Sequence, residues 1–441
     1  MITGVCSRVR RHVGAAMEFP SVTRNHRAGA ILIAAAMLCP PAGTAIAAGL
    51  PDEPPAAEPV SFMRACDAQG KGYFLVPGTD TCMRIDGLVY YEFWVYGSNQ
   101  ASGQPGWYSP SKNGVSSYTR GDIKFHTATP TEEGMITTFT ELRMSLQSNG
   151  PGPEPTQLTL YHAVMTWNGI TAGRTQSMFD YFTGTTYASL YEPAWSDTKT
   201  NMLAYTYSFG NSGLSVTGSV EDNASRQVGI INGPGFDAGT ANGYAGVRAP
   251  DLVGQVNLSQ SWGGFQWSIA SHQVNSYQNN AVGYDKSAMG WATAGGVTVN
   301  LPFLGDGDSL VVQAAYGYGA LNYVATNPIG GPLVRSGADA AIVVNSNGTK
   351  RLDLSRAWSV SGGLTHNWSP KWQTNINASY LDVNQLGRFY DFSNIDVQVE
   401  HVFMPVADFQ IGVEVEYKNI QPTIGSTGNA LVGLLHIERD F

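Results

Sequence analysis

The chain has 441 residues, a formal net charge of −9 and a charged fraction of 13%, about half the share usual in globular proteins. Aromatics at 11% with so little charge exclude a disordered chain. No apolar run of about 18 residues follows the N-terminal region, which excludes a helical membrane protein. An acidic balance with no Lys/Arg cluster in the body excludes a nucleic-acid binder. What remains is an exported, β-rich protein, and 51 Gly with 21 Tyr lean toward a barrel.

Residues 1–27 carry Arg8, Arg10, Arg11, Arg24 and Arg27 against one acid, Glu18. Ala28–Leu38 is then an apolar run of 11 residues, the length of a signal-peptide core and too short to span a bilayer. Ala45-Ile46-Ala47 supplies an A-x-A cleavage site before Ala48. A signal peptide is therefore expected over 1–47, with Met17 the expected start because it leaves a shorter basic region. Cys39 does not read as a lipid anchor, since Leu38 stands where a small residue is needed. Cleavage leaves 20 basic and 33 acidic residues, a mature charge of −13. It also leaves two cysteines, Cys66 and Cys82, with 15 residues between them. In an exported chain they read as one disulfide, worth about 3 kcal/mol in the chain-entropy model.

Residues 48–60 are rich in Pro and acids and read as a flexible lead-in, so that 48–82 forms a periplasmic N-terminal segment. From Met83 to Phe441 the chain repeats one theme: segments of about 9–13 residues in which apolar and polar side chains alternate, the mark of strands with one apolar and one polar face. In 409–418, Phe409, Ile411, Val413, Val415 and Tyr417 form one face, and Gln410, Gly412, Glu414, Glu416 and Lys418 the other. About 16 such segments are expected: 84–97, 117–128, 135–147, 157–167, 169–175, 201–209, 213–221, 251–261, 264–274, 290–301, 309–319, 356–367, 371–381, 392–403, 408–418 and 431–441. The fifth is short and the fourth alternates poorly, so about 14 or 18 remain compatible with the pattern.

The connectors alternate too. Links at 98–116, 176–200, 222–250, 275–289 and 320–355 are long, and those at 129–134, 210–212, 302–308 and 404–407 are short. A soluble sandwich has no reason for such parity. An outer-membrane barrel has one: short turns face the periplasm and long loops face outside. Tyr96, Trp167, Trp262, Trp267, Trp291, Trp368, Trp372 and Phe403 lie near segment ends, where interfacial girdles place aromatics. Phe441 closes the last strand, as the C-terminal aromatic of outer-membrane barrel precursors does, and is expected to address the barrel-assembly machinery. Arg439 falls on the lipid-facing row and needs to snorkel to the interface.

Residues 59–87, PVSFMRACDAQGKGYFLVPGTDTCMRIDG, resemble the N-terminal signature of the alphaproteobacterial general porins of rhizobia, Brucella and relatives. The shared elements are Pro59-Val60, Arg64, Cys66-Asp67-Ala68, Gly70, Gly72, Tyr73-Phe74, Pro77-Gly78-Thr79, Thr81-Cys82 and Arg84-Ile85. Further similarity runs through AGRTQSMFDYFTG (172–184), LAYTYSFGN (203–211), PDLVGQVNLSQSWG (250–263), HQV (272–274), PVADFQIGVEVEY (405–417) and the closing RDF (439–441). Asp86 departs from the glycine that the resemblance leads one to expect. The resemblance implies an all-β, 16-stranded transmembrane antiparallel barrel over 83–441, a homotrimer in outer-membrane lipid and lipopolysaccharide. It implies passive diffusion of small hydrophilic solutes, with the third external loop, Gln176 to Thr200, folded inward.

A diffusion pore needs charged side chains in its lumen rather than catalysis. Alternation puts Arg84, Glu92, Arg120, Asp122, Lys124, His126, Glu141 and Arg143 on the lumen row. The expected constriction is a wall of Arg120, Lys124, Arg143 and Arg174 facing the loop acids Asp180, Glu192 and Asp197, with Lys199 beside them. A second lumen patch is acidic: Glu400, Glu414, Glu416 and Glu438. With −13 overall, weak cation preference is expected. No G-x-S-x-G, H-E-x-x-H, P-loop or EF-hand pattern occurs, and His126, His162, His272, His366, His401 and His436 are scattered singly. Neither catalysis nor a metal or other cofactor is expected. Two rival readings stand beside the general pore. Tyr90, Trp94 and Tyr96 on the lumen row fit a sugar-specific channel, and the long 320–355 link fits a plugged or adhesive barrel.

Overall fold

The computed structural model describes residues 64–97, 114–148, 156–188, 193–231, 243–277, 285–326, 337–385, 391–425 and 427–441. The expected leader at 1–47 and the lead-in at 48–60 lie outside them. Sixteen antiparallel strands close into a barrel. They are β1 (Cys82–Tyr96), β2 (Val115–Thr131), β3 (Gly134–Gln147), β4 (Gln157–Trp167), β5 (Ile170–Gln176), β6 (Lys199–Ser208), β7 (Leu214–Glu221) and β8 (Asp251–Gln260). The second half is β9 (Gly263–Asn275), β10 (Ser287–Asn300), β11 (Ser309–Tyr318), β12 (Arg356–Ser369), β13 (Trp372–Asn384), β14 (Phe392–Val406), β15 (Phe409–Pro422) and β16 (Gly428–Asp440). Each strand pairs with the next, and β16 returns to β1 from Leu88↔Asp440 to Tyr96↔Val432. Closure joins the first strand to the last, so the barrel wall has no open edge strand, as a lipid-embedded sheet requires.

The alternation read from the sequence is the alternation of the wall. In β15, Val413 and Val415 are 54% and 51% exposed, while Glu414 and Glu416 between and beyond them are 1% and 0% exposed. The outer face is apolar because it meets hydrocarbon, and the inner face is polar because it meets water and the loops. All 16 expected segments are strands, with ends displaced by a few residues. The parity of connectors holds as well. Asn168 and Gly169 join β4 to β5 with φ of 48° and 83°; two left-handed residues twist a two-residue hairpin to match its strands.

Six of the girdle aromatics, Trp167, Trp262, Trp267, Trp291, Trp368 and Trp372, stand on the exposed outer face. Tyr96 does not belong with them: it is 7% exposed and its hydroxyl lies 2.6 Å from that of Ser116 inside the barrel. Its place on the inward row of β1 overrides its place at the strand end. Arg439 is on the outer row, opposite Val89, and its Nη1 donates to the Ala407 carbonyl in the adjacent turn at 2.6 Å. The outward arginine thus ends in the turn region, as snorkelling requires. The Cys66–Cys82 disulfide forms, and Phe74–Leu75 pairs with Cys82 and Met83, which fastens the segment before β1 to the barrel's turn end.

The loop end holds structure that alternation could not foretell. Ala340–Val344 pairs antiparallel with Lys350–Leu354 and parallel with Ile230–Ile231, so the 319–355 link joins the 222–250 link in a small sheet. Leu321, Tyr323 and Val324 pack with Phe179 against inward Ala292, Ala315 and Ala357. Alanines on those strands leave the room that the loop side chains fill. This part of the lumen is therefore a packed core rather than open channel.

Candidate functional site: the pore constriction

Between β5 and β6, residues 177–188 and 193–198 of the loop fold into the barrel and follow its inner wall. Tyr181 donates to the Gly264 carbonyl at 3.2 Å and lies 2.6 Å from the Thr298 hydroxyl. The Phe182 N–H donates to Gln313 at 3.1 Å. Thr185 donates its N–H and its hydroxyl to Asn377 Oδ1 at 3.1 and 2.7 Å. Thr186 donates to Gln398 at 2.8 Å. The Tyr187 N–H reaches both Glu400 and Glu414 at 2.7 and 2.9 Å. On the way back, the Ala194 N–H donates to Ser379 at 2.9 Å and the Asp197 N–H to Thr326 at 2.6 Å.

Glycines on the wall make seats for the loop's rings. A Cβ on Gly296 would strike the Tyr181 ring, one on Gly412 the Tyr187 ring, and one on Gly363 would lie 2.7 Å from Phe182. The Tyr187 ring also stacks on His436, 3.8 Å between centroids. Burial, then the neighbouring Glu400, Glu438 and Glu414 carboxylates, push the Tyr187 phenol well above its ordinary value, so it is a neutral hydroxyl.

The root of the loop is locked from the neighbouring link. Arg226 has no exposed side-chain surface, and its Nη2 donates to Asp180 Oδ1 at 3.0 Å. Its Nη1 donates to Ser196 at 2.7 Å, Thr198 at 2.9 Å and Asn322 Oδ1 at 3.2 Å. The guanidinium lies 4.1 Å from the Tyr323 ring centroid. Burial works against its charge, but Asp180, Tyr323 and Glu221 together outweigh that and raise its pKa. The Thr198 N–H completes Asp180's bonds at 2.8 Å, while Glu221 accepts from Ser177 at 2.6 Å and from the Met178 N–H at 3.0 Å.

The wall of β1–β4 carries the cations. Register sets Asp86, Lys124, Glu141 and His162 in one row. Arg120 donates from Nε to both Asp122 oxygens at 2.8 and 3.0 Å, and from Nη1 to Tyr90 at 3.2 Å. Arg143 donates from Nε to Glu141 at 2.7 Å and stands 3.3 Å from Asp122. The carboxylates lie underneath: Asp122 and Glu141 side chains are 0% and 5% exposed, against 15% and 23% for Arg120 and Arg143. Asp86, the residue out of keeping with the resemblance, accepts from Arg84 at 2.7 Å and stands 3.2 Å from His126.

Of the residues expected at the constriction, Arg120, Lys124 and Arg143 share this inward wall. Arg174 does not. It pairs with Ala163 and Asn201, and Asn201 belongs to the exposed row of Leu203 and Tyr205. Directly opposed residues share a face, so Arg174 stands on the outer wall. Its successor Thr175, 3.1 Å from His162 Nδ1, takes the inward place. Asp180 faces no channel, being sealed against Arg226. Asp197 pairs with Lys199, and Glu192 lies outside the described residues. Glu414 and Glu416 are inward but buried, Glu414 beneath Tyr187. Arg226, Glu221, Tyr187 and the glycine seats were not expected, and no spacing marks them. Tyr90, Trp94 and Tyr96 are inward, but Trp94 is only 4% exposed, packed 6.0 Å from Tyr118. Among the described residues no group of three His, Cys, Asp or Glu is arranged to hold a metal ion.

Comparison with known proteins agrees with this geometry. Residues 52–428 match the family model described as the porin subfamily. The chain is 26% identical over 399 residues to porin Omp2b of Brucella abortus, covering 88% of this chain and 92% of that one. Porin Omp2b of Brucella suis is similar to the same degree, again 26% over 399 residues, with the same coverage. Among solved structures, the outer membrane channel DcaP of Acinetobacter baumannii superposes with a TM-score of 0.65 at 13% identity, over 82% of this chain and 97% of that one. That likeness shows the fold. The match over most of the chain, on a closed barrel with an inward loop, makes this chain a member of the porin subfamily and a channel of the bacterial outer membrane.

Proposed function

We propose that the channel is a general one, passing small hydrophilic solutes by passive diffusion, with its narrowest part between the β1–β4 wall and loop 177–198. The observation that carries this is the loop itself, which lies inside the barrel and is bonded to six wall strands, β9, β10, β11, β13, β14 and β15. Arg120, Lys124 and Arg143 form the charged side of the constriction. The chain does no covalent chemistry and uses no cofactor. Residues 1–47 are its cleaved leader, 48–82 its periplasmic segment, and Phe441 its address to the assembly machinery.

The working form is a homotrimer in lipid and lipopolysaccharide. Arg174 supports this, because a charge on the outer wall costs about 2–4 kcal/mol at the bilayer midplane, and a second copy would shield it. The sugar-specific reading has less support: a sugar track needs open ring faces, and Trp94 and Tyr96 are covered. Liposome swelling with sugars of graded size tests the proposal. Uptake that falls smoothly with size is expected. Uptake of one sugar out of order of size would point to the specific channel, and no uptake would refute both.

A further inference from the structure

We propose that the β2–β3 wall carries a carboxylate-binding station, made by Arg143 and Lys124, so that the channel favours small carboxylate-bearing solutes over cations. This rests on the diffusion-channel reading and adds the class of solute. The sequence suggested the opposite preference from the chain's net charge. What a permeating solute meets, however, is the exposed lining rather than the sum.

Arg143 is held but not saturated. Its Nε is taken by Glu141 and Asp122, and its guanidinium stacks 3.0 Å from the Tyr161 ring centroid. Among the described residues nothing accepts from its two terminal nitrogens. A planar fork with fixed orientation and free N–H groups is the partner a carboxylate fits in bidentate fashion. Lys124 pairs with Glu141 in register, and Arg143 lies two residues further along β3. The two are therefore diagonal neighbours, with Cα atoms about 7–8 Å apart. The carboxylates flanking Lys124 in its row are engaged elsewhere, Asp86 by Arg84 and Glu141 by Arg143.

Most of the lumen acids are out of such a solute's reach, the exceptions being Asp86, which is paired with Arg84, and Asp440, which interacts with Lys124. Asp122 and Glu141 lie beneath the guanidiniums, Asp180 is sealed by Arg226, and Glu400 and Glu414 are covered where Tyr187 binds them. The loop stretch 183–188 reads Thr-Gly-Thr-Thr-Tyr-Ala and carries no charge. Binding at the station must be weak, since conduction needs release as well as entry.

The test is single-channel recording of the purified full chain in a planar bilayer, with citrate as the probe. Citrate should interrupt the current in a concentration-dependent way, and a KCl gradient should give a reversal potential of anion sign. For each carboxylate of the probe, a unit charge about 6 Å away through water changes occupancy by about threefold, so Lys124→Gln and Arg143→Gln should each raise the half-blocking concentration by at least about that factor. Arg143→Gln also strips a partner from two buried carboxylates and can disturb the wall. Lys124→Gln makes no such break and decides the matter. An open channel that citrate does not block, or blocks equally well in Lys124→Gln, overturns this inference and leaves the diffusion channel standing. A bilayer that stays sealed overturns both.

Discussion

Replacing Arg226 by methionine should release the inward loop while leaving the barrel closed. Arg226 belongs to no strand, and its bonds run to Asp180, Ser196 and Thr198 of the inward loop and to Asn322 of the 319–355 link. Methionine fills part of the volume but leaves the Asp180 carboxylate buried without its counter-charge. Breaking a buried pair from one side costs about 3–5 kcal/mol. That changes the ratio of locked to unlocked loop by a factor between about 10² and about 4 × 10³. The sheet pairings of the barrel involve none of these groups, so the cost falls on the loop.

Single-channel recording reads this directly. Wild-type current should be quiet, and the Arg226→Met current should flicker between levels as the loop root leaves the wall. Heat-modifiability on a gel, which reports the barrel, should be unchanged. The double variant Asp180→Asn/Arg226→Met removes both charges and should recover most of the quiet behaviour, because a neutral pair carries no stranded charge. A quiet Arg226→Met channel, or a double variant as noisy as the single one, would refute the assignment of Arg226 as the lock.

Three further outcomes follow from other parts of the structure. Gly363→Val puts carbon into the seat of Phe182 and Thr185; conductance should change while the heat-modification temperature does not, and an unchanged conductance would sink the seat. Replacing Cys66 and Cys82 by serine removes a tether worth about 3 kcal/mol and should open residues 64–75 to protease, as reductant should in the wild type; equal cleavage with and without the bridge would count against it. Asp308 lies in the 301–308 turn, where the Asn367 N–H and then the His366 ring hold its carboxyl below the ordinary value. A depressed carboxyl stabilises the fold above its unfolded value of about 3.9 and loses that contribution as pH falls through the folded one. Asp308→Asn should therefore lower the heat-modification temperature at neutral pH and make no difference in strong acid. A difference that persists there would refute the assignment.

The strands were legible because lipid and water enforce a period of two on them, and β4, where a bulge at Tyr161 interrupts the period, is the one that alternates poorly. Val413 and Glu414 cannot exchange faces without placing a charge in hydrocarbon. Arg174 escapes the same logic because it stands at the approach to the loop, near the end of the short β5, where the sequence pattern is too brief to fix its face. One residue of parity separates it from Thr175. The lock and the seats were not legible because they depend on chain segments meeting across the lumen. Arg226 and Asp180 are 46 residues apart, and Gly412 lies far along the chain from Tyr187. No local pattern records such meetings.

The meetings also bear on how an acidic chain comes to carry Arg120, Lys124 and Arg143 on its inner wall. A loop that leaves the sheet keeps its backbone N–H groups, and buried ones must find acceptors. Here side chains supply them: Glu221 for Met178, Gln313 for Phe182, Asn377 for Thr185, Glu400 and Glu414 for Tyr187, and Asp180 for Thr198. Carboxylates and amides can do this because they accept. Arginine and lysine cannot, because they only donate. An inward loop therefore draws the acids of the lumen under itself and leaves cations on the wall it does not cover. Net charge counted along the sequence is then a poor guide to the exposed lining, because carboxylates such as Glu400 and Glu414 lie under the loop and Asp122 and Glu141 lie under the wall arginines.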